Sequence, residues 1–262
     1  MDGVPKIFMT LFVALTCLSC TKADEANPKP KQSILPLAYH QVSSEGVTLH
    51  LISFDSRQYH LEVADQPKGP GSLWPDAKSC GTAKQALASI NAGFFTPEGK
   101  PLGLVIENGT KRGYNNPSSL GSAFYYIDTN KKITAIARRK HLSNLTKNLT
   151  PNHLLQAGPM LSDGGHTVKG LSKQNARKRS FIAHDGADHW LIGYADACTL
   201  EQLSKAIAGK KLAGCQISNA MNLDGGRSSD LWISAAVPGG EKTFRSFFNK
   251  PVRNFLILKP TP

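Results

Sequence analysis

The sequence is poor in cysteine and tryptophan and has no apolar run long enough to cross a bilayer as a helix. Only 5 of its 262 residues are cysteine and 3 are tryptophan. The apolar run at residues 7–18 falls short of the roughly 20 residues that a spanning helix needs. No Cys/His spacing is typical of a zinc site, and no internal repeat is visible. These absences argue against zinc-finger, solenoid and helical membrane proteins.

Acidic residues are also scarce, with 19 Asp and Glu against 31 Lys and Arg. The resulting formal charge of +12 favours polyanions such as nucleic acid, anionic lipid surfaces or phosphate-rich polymers. The densest basic clusters are residues 138–140 and 177–179, and a solvated surface is the more frequent role of such clusters. Because no basic stretch is interleaved with aromatic residues, no nucleic-acid partner is expected.

The N-terminus has the pattern of an export signal. Lys6 precedes the short apolar run, and residues 1–20 are interpreted as a signal peptide. The sequence ending at Cys20 resembles a bacterial lipobox, in which the cysteine is lipidated. Residues 21–38 then form a polar tether, and residues 39–262 form the domain. The expected location is the periplasm or cell envelope, with the lipid on Cys20 as the only membrane contact; without lipidation the protein is secreted.

Three cysteines, Cys80, Cys198 and Cys215, lie beyond the signal and the lipobox. An odd number outside the cytosol allows at most one internal disulfide. Cys198 and Cys215 flank a predicted helix, and they are the preferred pair.

Residue patterns predict an α+β fold, a single domain built on a largely antiparallel twisted sheet with packed helices. Alternating apolar residues predict strands at 47–51 and 59–63, joined as a hairpin. A helix is predicted at 79–88. Thr199 and Gln202 have the spacing of a capping box at the start of a second helix.

Residues 222–229, with the sequence NLDGGRSS, are the most informative stretch of the chain. They follow an apolar run at 216–221 that predicts a buried strand, so Asp224 lies near a strand end. The paired glycines allow a tight turn whose N–H groups point outward and cradle an anion. An ordinary Asp-Gly hairpin turn is the alternative, and the octapeptide alone leaves both open.

Four further stretches combine glycine with polar or aromatic residues at predicted loops or strand ends. They are residues 91–95, 102–103, 158–161 and 179–180. One such stretch is explained by a turn, whereas five in one domain indicate a shaped pocket. Arginine offers paired donors to phosphate, and asparagine both donates to and accepts from sugar hydroxyls. The residue types therefore fit a sugar phosphate.

In this order and spacing, the stretches resemble the hallmarks of the phosphodiester glycosidase family of uncovering-enzyme type. The resemblance covers residues 47–258 and depends on Asn91 to Phe95, Leu102-Gly103 with Asn108-Gly109, Gly158 to Leu161, Arg179 to Ile182, and Asn222 to Ser228. One residue departs from the pattern, because Arg227 occupies the position of the family's third glycine. That side chain either adds a phosphate contact or narrows the pocket.

The resemblance implies hydrolysis of a sugar linked through its anomeric carbon to phosphate. Asp224 is then the catalytic carboxylate, Arg179 stabilises charge on phosphate, and Asn91 holds sugar hydroxyls or orients Asp224. Glu107 or Asp163 is a candidate second carboxylate. The substrate-binding residues implied are Asn222, Gly225, Gly226, Arg227, Ser228, Gly93, Phe94, Phe95 and Gly158.

No cofactor is expected, and the metal ligands stay unassigned. A divalent cation at Asp224 is left open, although no oxygen-ligand loop of recognisable spacing is present. The expected partner is a small sugar phosphodiester or a phosphorylated glycan. Two alternatives remain: a non-catalytic binder of phosphorylated glycans, and a basic protein that coats anionic polymers and whose binding collapses with salt.

Overall fold

A computed structural model describes residues 1, 3, 33–141 and 150–261. Its contacts divide the chain into Met1–Ser33 and Ile34–Pro262, and every element given below belongs to the second unit. The predicted signal peptide, the lipobox with Cys20 and most of the tether lie outside the described residues. Among the described residues, none of the helices has the length and apolar character needed to cross a bilayer.

The largest sheet has seven strands in the order β1-β2-β13-β12-β16-β10-β11. Every pairing in this sheet is antiparallel. Its strands are β1 Ala38–Ser44, β2 Val47–Asp55, β10 Met160–Asp163, β11 His166–Thr167, β12 Arg177–His184, β13 His189–Cys198 and β16 Asn219–Asn222.

Two five-stranded antiparallel sheets complete the scaffold, in the orders β18-β17-β4-β19-β3 and β6-β5-β9-β7-β8. The first contains β3 Tyr59–Asp65, β4 Ala88–Asn91, β17 Asp230–Ile233, β18 Lys242–Arg245 and β19 Asn254–Pro260. The second contains β5 Val105–Glu107, β6 Thr110–Arg112, β7 Ala123–Asp128, β8 Ile133–Arg138 and β9 His153–Ala157. A small ribbon pairs β14 Lys211–Leu212 with β15 Cys215–Gln216.

Helices make up much less of the fold than the sequence pattern predicts. In the described part of the chain the α-helices are α1 Ala77–Ala83 and α2 Leu200–Ile207. The capping box at α2 is confirmed, because Gln202 N–H donates to Thr199 Oγ1 and the Gln202 side chain accepts from Thr199 N–H. The antiparallel prediction is thus confirmed, but the fold is mainly β rather than α+β.

The predicted hairpin of the second and third strands is wrong. β2 pairs with β1 and β13, whereas β3 pairs with β19 in another sheet. β2 has nine residues, and the seven from Leu49 to Asp55 are all buried. The main core covers one face of β2 and α2 covers the other. Local apolar patterns predict that a segment forms a strand, but distant residues determine which strand it pairs with.

One core cluster receives side chains from all three large sheets and holds them together. It includes Ile182 from the seven-stranded sheet, Leu256 from one five-stranded sheet and Leu155 from the other. Close packing also explains one glycine in a strand. A Cβ on Gly193 would lie 2.1 Å from the ring of Phe181, its cross-strand partner.

The preferred disulfide is wrong. Cys198 and Cys215 are buried and each is a free thiol, as is Cys80. Burial raises the pKa of all three thiols, to about 12 for Cys80 and about 11 for Cys198. They therefore behave as small apolar side chains rather than as nucleophiles.

Candidate active site

The glycine turn after β16 crosses between two sheets, which excludes the hairpin interpretation. β16 pairs with β10 and β12 in the seven-stranded sheet, whereas β17 pairs with β4 and β18 in a five-stranded sheet. A short 3-10 helix, Gly226–Ser228, lies between them. Gly226 has a φ of +66°, a conformation that side-chain-bearing residues rarely adopt. The glycine pattern thus serves a sheet-to-sheet connection.

Asp224 lies in this turn and is held from both sides of its backbone. Its N–H donates to the Ala92 carbonyl at 2.8 Å, and its carbonyl accepts from Asn91 Nδ2 at 2.7 Å. The carboxylate accepts from Gly225 N–H at 2.8 Å. Burial raises the pKa of Asp224 to about 6, although hydrogen bonds from Ser228 and Gly225 oppose the rise. The site therefore contains a carboxyl group that titrates near neutrality.

Asn91 is fully buried and joins three segments of the site. Besides its donation to the Asp224 carbonyl, its Oδ1 accepts from Ser180 Oγ at 2.6 Å and from Asp230 N–H at 3.0 Å. These contacts link β4, β12, β17 and the turn. The geometry supports the interpretation in which Asn91 orients Asp224, because the amide is occupied by protein groups.

Asn91→Ala is expected to lower the free energy of unfolding by roughly 2–4 kcal/mol, because three buried polar groups lose their partner. Urea denaturation followed by circular dichroism measures this loss. Asn130→Ala, at an exposed position, is the matched control and should stay within about 0.5 kcal/mol of the parent. Equal midpoints for the two variants would show that the network does not stabilise the turn.

Arg179 is buried beside the same turn. Its Nε donates to the Cys198 carbonyl at 3.1 Å and its Nη2 to the Asn175 carbonyl at 3.0 Å. Within residues 33–141 and 150–261, Nη1 has no hydrogen-bond partner and the guanidinium has no carboxylate partner. Burial lowers the pKa of Arg179, yet a guanidinium stays charged at neutral pH. A buried cation without a counter-ion is suited to an anionic ligand.

Gly225 packs against Arg179 and Lys178 of β12. A Cβ on Gly225 would lie 3.5 Å from Arg179 Nη1 and 3.3 Å from the Lys178 carbonyl oxygen. On the next residue, a Cβ on Gly226 would lie 3.3 Å from Arg177 Cδ. The turn that carries the carboxylate is therefore packed against two arginines of β12, and the structure brings Asp224, Arg179 and Asn91 into one neighbourhood.

Asn222 and Gly158 connect this turn to the loop after β9. Asn222 Nδ2 donates to the Gly158 carbonyl at 3.0 Å, and Asn222 N–H donates to the Pro159 carbonyl. The Gly158-Pro159 peptide bond is cis. A Cβ on Gly158 would lie 2.6 Å from the Ser119 carbonyl oxygen, so close packing requires glycine. Asn222 Oδ1 is buried and has no partner among the described residues.

Residues 91–95 are held in place mainly by contacts within the protein. Gly93 N–H donates to Asn254 Oδ1 at 2.7 Å. Phe94 packs against the main core, and Phe95 packs against the cluster around α1. Both rings are only half-buried. Roles in substrate binding for Gly93, Phe94 and Phe95 remain predictions, as do those of Gly225, Gly226 and Ser228.

Among the described residues, neither of the two suggested second carboxylates forms a hydrogen bond with Asp224. Asp163 ends β10 beyond the Ser162–Ala220 pair, at the far end of the strand from Met221, and its Oδ2 accepts from Arg138 Nε at 2.5 Å. Glu107 forms an ion pair with Arg112 at 3.3 Å. Both carboxylates thus have structural partners.

A cavity of about 970 Å³ lies away from the turn that carries Asp224. Its lining includes Arg57, Gly186 and Asp188, next to the end of β12 that is opposite Arg179. None of the residues predicted for the site lines it. Among the described residues, no group of three His, Cys, Asp or Glu side chains is placed to share a metal ion.

Two contributors to the site were not predicted from the sequence. Asn254 Oδ1 accepts from Gly93 N–H, and Asp230 forms an ion pair with Arg245. Burial raises the pKa of Asp230. Asn254 offered a signal, because Arg253 and Asn254 are polar residues at the start of an apolar strand. Asp230 has no local pattern that distinguishes it.

Among the described residues, a half-buried carboxyl group, a buried arginine without a carboxylate partner and a glycine turn lie together on antiparallel sheets. The model of the phosphodiester glycosidase family matches residues 84–259. The chain belongs to this family, as the motif resemblance implied.

Solved structures share the fold at low sequence identity. The catalytic domain of zebrafish N-acetylglucosamine-1-phosphodiester alpha-N-acetylglucosaminidase, auto-inhibited by its pro-peptide, is 16% identical with a TM-score of 0.59, covering 87% of this chain and 84% of that one. A hypothetical protein from Synechocystis is 17% identical with a TM-score of 0.54, covering 84% and 61%. A Burkholderia pseudomallei protein described as exported is 13% identical with a TM-score of 0.50, covering 82% and 74%. No curated protein matches the sequence.

Proposed function

We propose that this protein hydrolyses sugar-1-phosphodiesters. Water adds at the anomeric carbon, the bond from that carbon to the phosphate oxygen breaks, and the products are a free sugar and a phosphate monoester. The observation that carries the proposal is the proximity of Asp224, across Gly225, to the guanidinium of Arg179, which has no carboxylate partner among the described residues.

Arg179 supports departure of the phosphate. A phosphate monoester is a good leaving group, so fixed positive charge helps more than a strong acid does. The buried guanidinium provides that charge, and its position is set by its bonds to the Cys198 and Asn175 carbonyls.

Asp224 supports the positive charge that develops on the sugar ring. An oxocarbenium-like centre needs an ionised carboxylate as nucleophile, base or electrostatic partner. The bond from Gly225 N–H fixes the carboxylate, and Asn91 and Ala92 fix the backbone that bears it. We assign Asn91 a positioning role and Asp224 the catalytic one.

The predicted export signal supports action in a bacterial envelope. A lipid on Cys20 would anchor the protein there, and a protein without that lipid would be secreted. The family resemblance and the positive charge of +12 support an anionic glycosyl substrate there.

Product analysis on a panel of sugar-1-phosphodiesters tests the reaction. We expect equal amounts of free sugar and phosphate monoester, with the anomer of the first-formed sugar read by proton NMR. Oxygen-18 from labelled water should appear in the sugar and not in the phosphate. Label in the phosphate would place cleavage at phosphorus and contradict the proposal.

A binder of phosphorylated glycans is the alternative, and Arg227 at a glycine position of the family motif favours it. Arg227 Nε donates to the Phe248 carbonyl at 3.0 Å, so the side chain is engaged by the protein. A binder would be stabilised thermally by the panel compounds but would release no sugar from any of them.

A further inference from the structure

Two phenylalanines on a loop near the candidate site have largely exposed side chains. Phe247 is 95% exposed and Phe248 is 71% exposed. Their rings contact each other edge to face, with centroids 5.5 Å apart. Burial of one such side chain contributes about 1.5–3 kcal/mol, so two exposed on one loop indicate a surface that meets an apolar ligand.

The loop that carries them is tied to the turn that holds Asp224. Besides the Arg227 bond to the Phe248 carbonyl, Lys250 N–H donates to the Arg227 carbonyl at 3.2 Å. Asn249 Nδ2 donates to the Ser229 carbonyl at 2.5 Å. Arg227 and Ser229 follow the carboxylate by three and five residues. The aromatic pair is therefore fixed beside the site.

Three basic residues belong to the Asp224 turn or to segments that contact it. Arg177 lies against Gly226, and Arg227 and Lys250 join the turn to the aromatic loop. None of these three cations has a carboxylate partner among the residues that the structure describes. A ligand with an anionic group next to an apolar group would match this arrangement of basic and aromatic residues.

We propose that Phe247 and Phe248 form an aglycone subsite, which rests on the hydrolase function proposed above. The substrate class is a sugar-1-phosphodiester whose second ester joins an apolar alcohol, aliphatic or aromatic. The sugar lies at Asp224, the phosphate at the arginines and the apolar alcohol on the two rings. Arg227 is a positioning residue that holds the aromatic loop against the turn.

The test compares kcat/KM for methyl, octyl and benzyl diesters of one sugar 1-phosphate. We expect the octyl or benzyl diester to exceed the methyl diester by about 10–100-fold in the parent protein. In the Phe247→Ala/Phe248→Ala double variant this ratio should fall to about 1–3. Ile133→Ala, which removes a partly exposed apolar side chain on β8, should keep the parental ratio. The octyl and benzyl arms separate an aliphatic from an aromatic aglycone.

A parental ratio near one, or an unchanged ratio in the double variant, would overturn the subsite. Binding of octyl phosphate and methyl phosphate by calorimetry keeps the two proposals apart. Tighter binding of octyl phosphate that depends on the two phenylalanines supports the subsite even if no diester is cleaved. Loss of sedimentation with phosphatidylglycerol vesicles in the double variant, with the octyl preference intact, would reassign the rings to membrane contact.

Discussion

Asp224→Asn is expected to lower kcat/KM on a sugar-1-phosphodiester by at least about 10³-fold while making the protein more stable at neutral pH. Asparagine keeps an oxygen that can accept from Gly225 N–H but cannot carry the negative charge that the sugar needs. Sugar release over an extended time course measures the activity, and thermal melting measures the stability.

The gain in stability follows from the pKa of Asp224. Burial raises that pKa from 3.8 to about 6, which corresponds to about 3 kcal/mol before solvent screening. The side chain is partly exposed, so we expect ~1–2 kcal/mol, or about 2–6 °C in melting temperature. Well below pH 3.8 the carboxyl is protonated in both folded and unfolded chains, so the difference should vanish there. It should grow as the pH rises from about 4 to about 6 and stay constant above that range.

The same pKa sets the expected pH dependence of the parental reaction. A role for the ionised carboxylate requires kcat/KM to rise with pH through about 6. A rate that falls over this range would assign Asp224 as a proton donor instead. Asp163→Asn is the matched control, because Asp163 pairs with Arg138 away from the turn, and it should keep parental activity. A folded Asp224→Asn protein with full turnover would remove the carboxylate from the mechanism.

Arg179→Gln is expected to lower kcat/KM by about 10²–10³-fold, because the proposed mechanism assigns this guanidinium to the phosphate in both the bound substrate and the transition state. The variant also loses hydrogen bonds to the Cys198 and Asn175 carbonyls, so it should unfold about 1–3 kcal/mol more easily. Kinetics must therefore be measured well below its melting temperature.

Phosphate affinity separates the electrostatic role of Arg179 from a structural one. Inorganic phosphate should inhibit the parent competitively and should inhibit Arg179→Gln at least about tenfold less strongly. Arg138→Gln, which removes an arginine that pairs with Asp163, should leave the inhibition constant at the parental value. Equal inhibition of Arg179→Gln and the parent would mean that phosphate does not bind at this guanidinium.

Local sequence patterns predicted several elements well. The capping box at Thr199 depends on residues three apart, and the strand predicted at residues 47–51 depends on apolar alternation within one segment. Such signals need no distant partner, which explains why the structure confirms them. The pairing of β2 with β13 instead of β3 had no local signal, because more than 130 residues separate β2 from β13 along the chain.

For the site, the motif resemblance predicted that Asp224, Arg179 and Asn91 belong to one site, and the family match covers all three residues. The sequence could not reveal what each side chain contacts. Asn91 is enclosed by Ser180, Asp230 and the Asp224 carbonyl, and Arg179 stays without a carboxylate partner in the described part of the chain. These properties depend on which strands become neighbours.

The sequence by itself determined the family, the strand-rich antiparallel character and the turn that bears the carboxylate, because each depends on short-range residue order. Only the tertiary structure decided that this turn connects two sheets and that burial raises the pKa of Asp224 toward neutrality. It also decided that the loop with Phe247 and Phe248 contacts the turn. Desolvation and proximity arise from segments far apart in the chain, and these become neighbours only when the sheets pack.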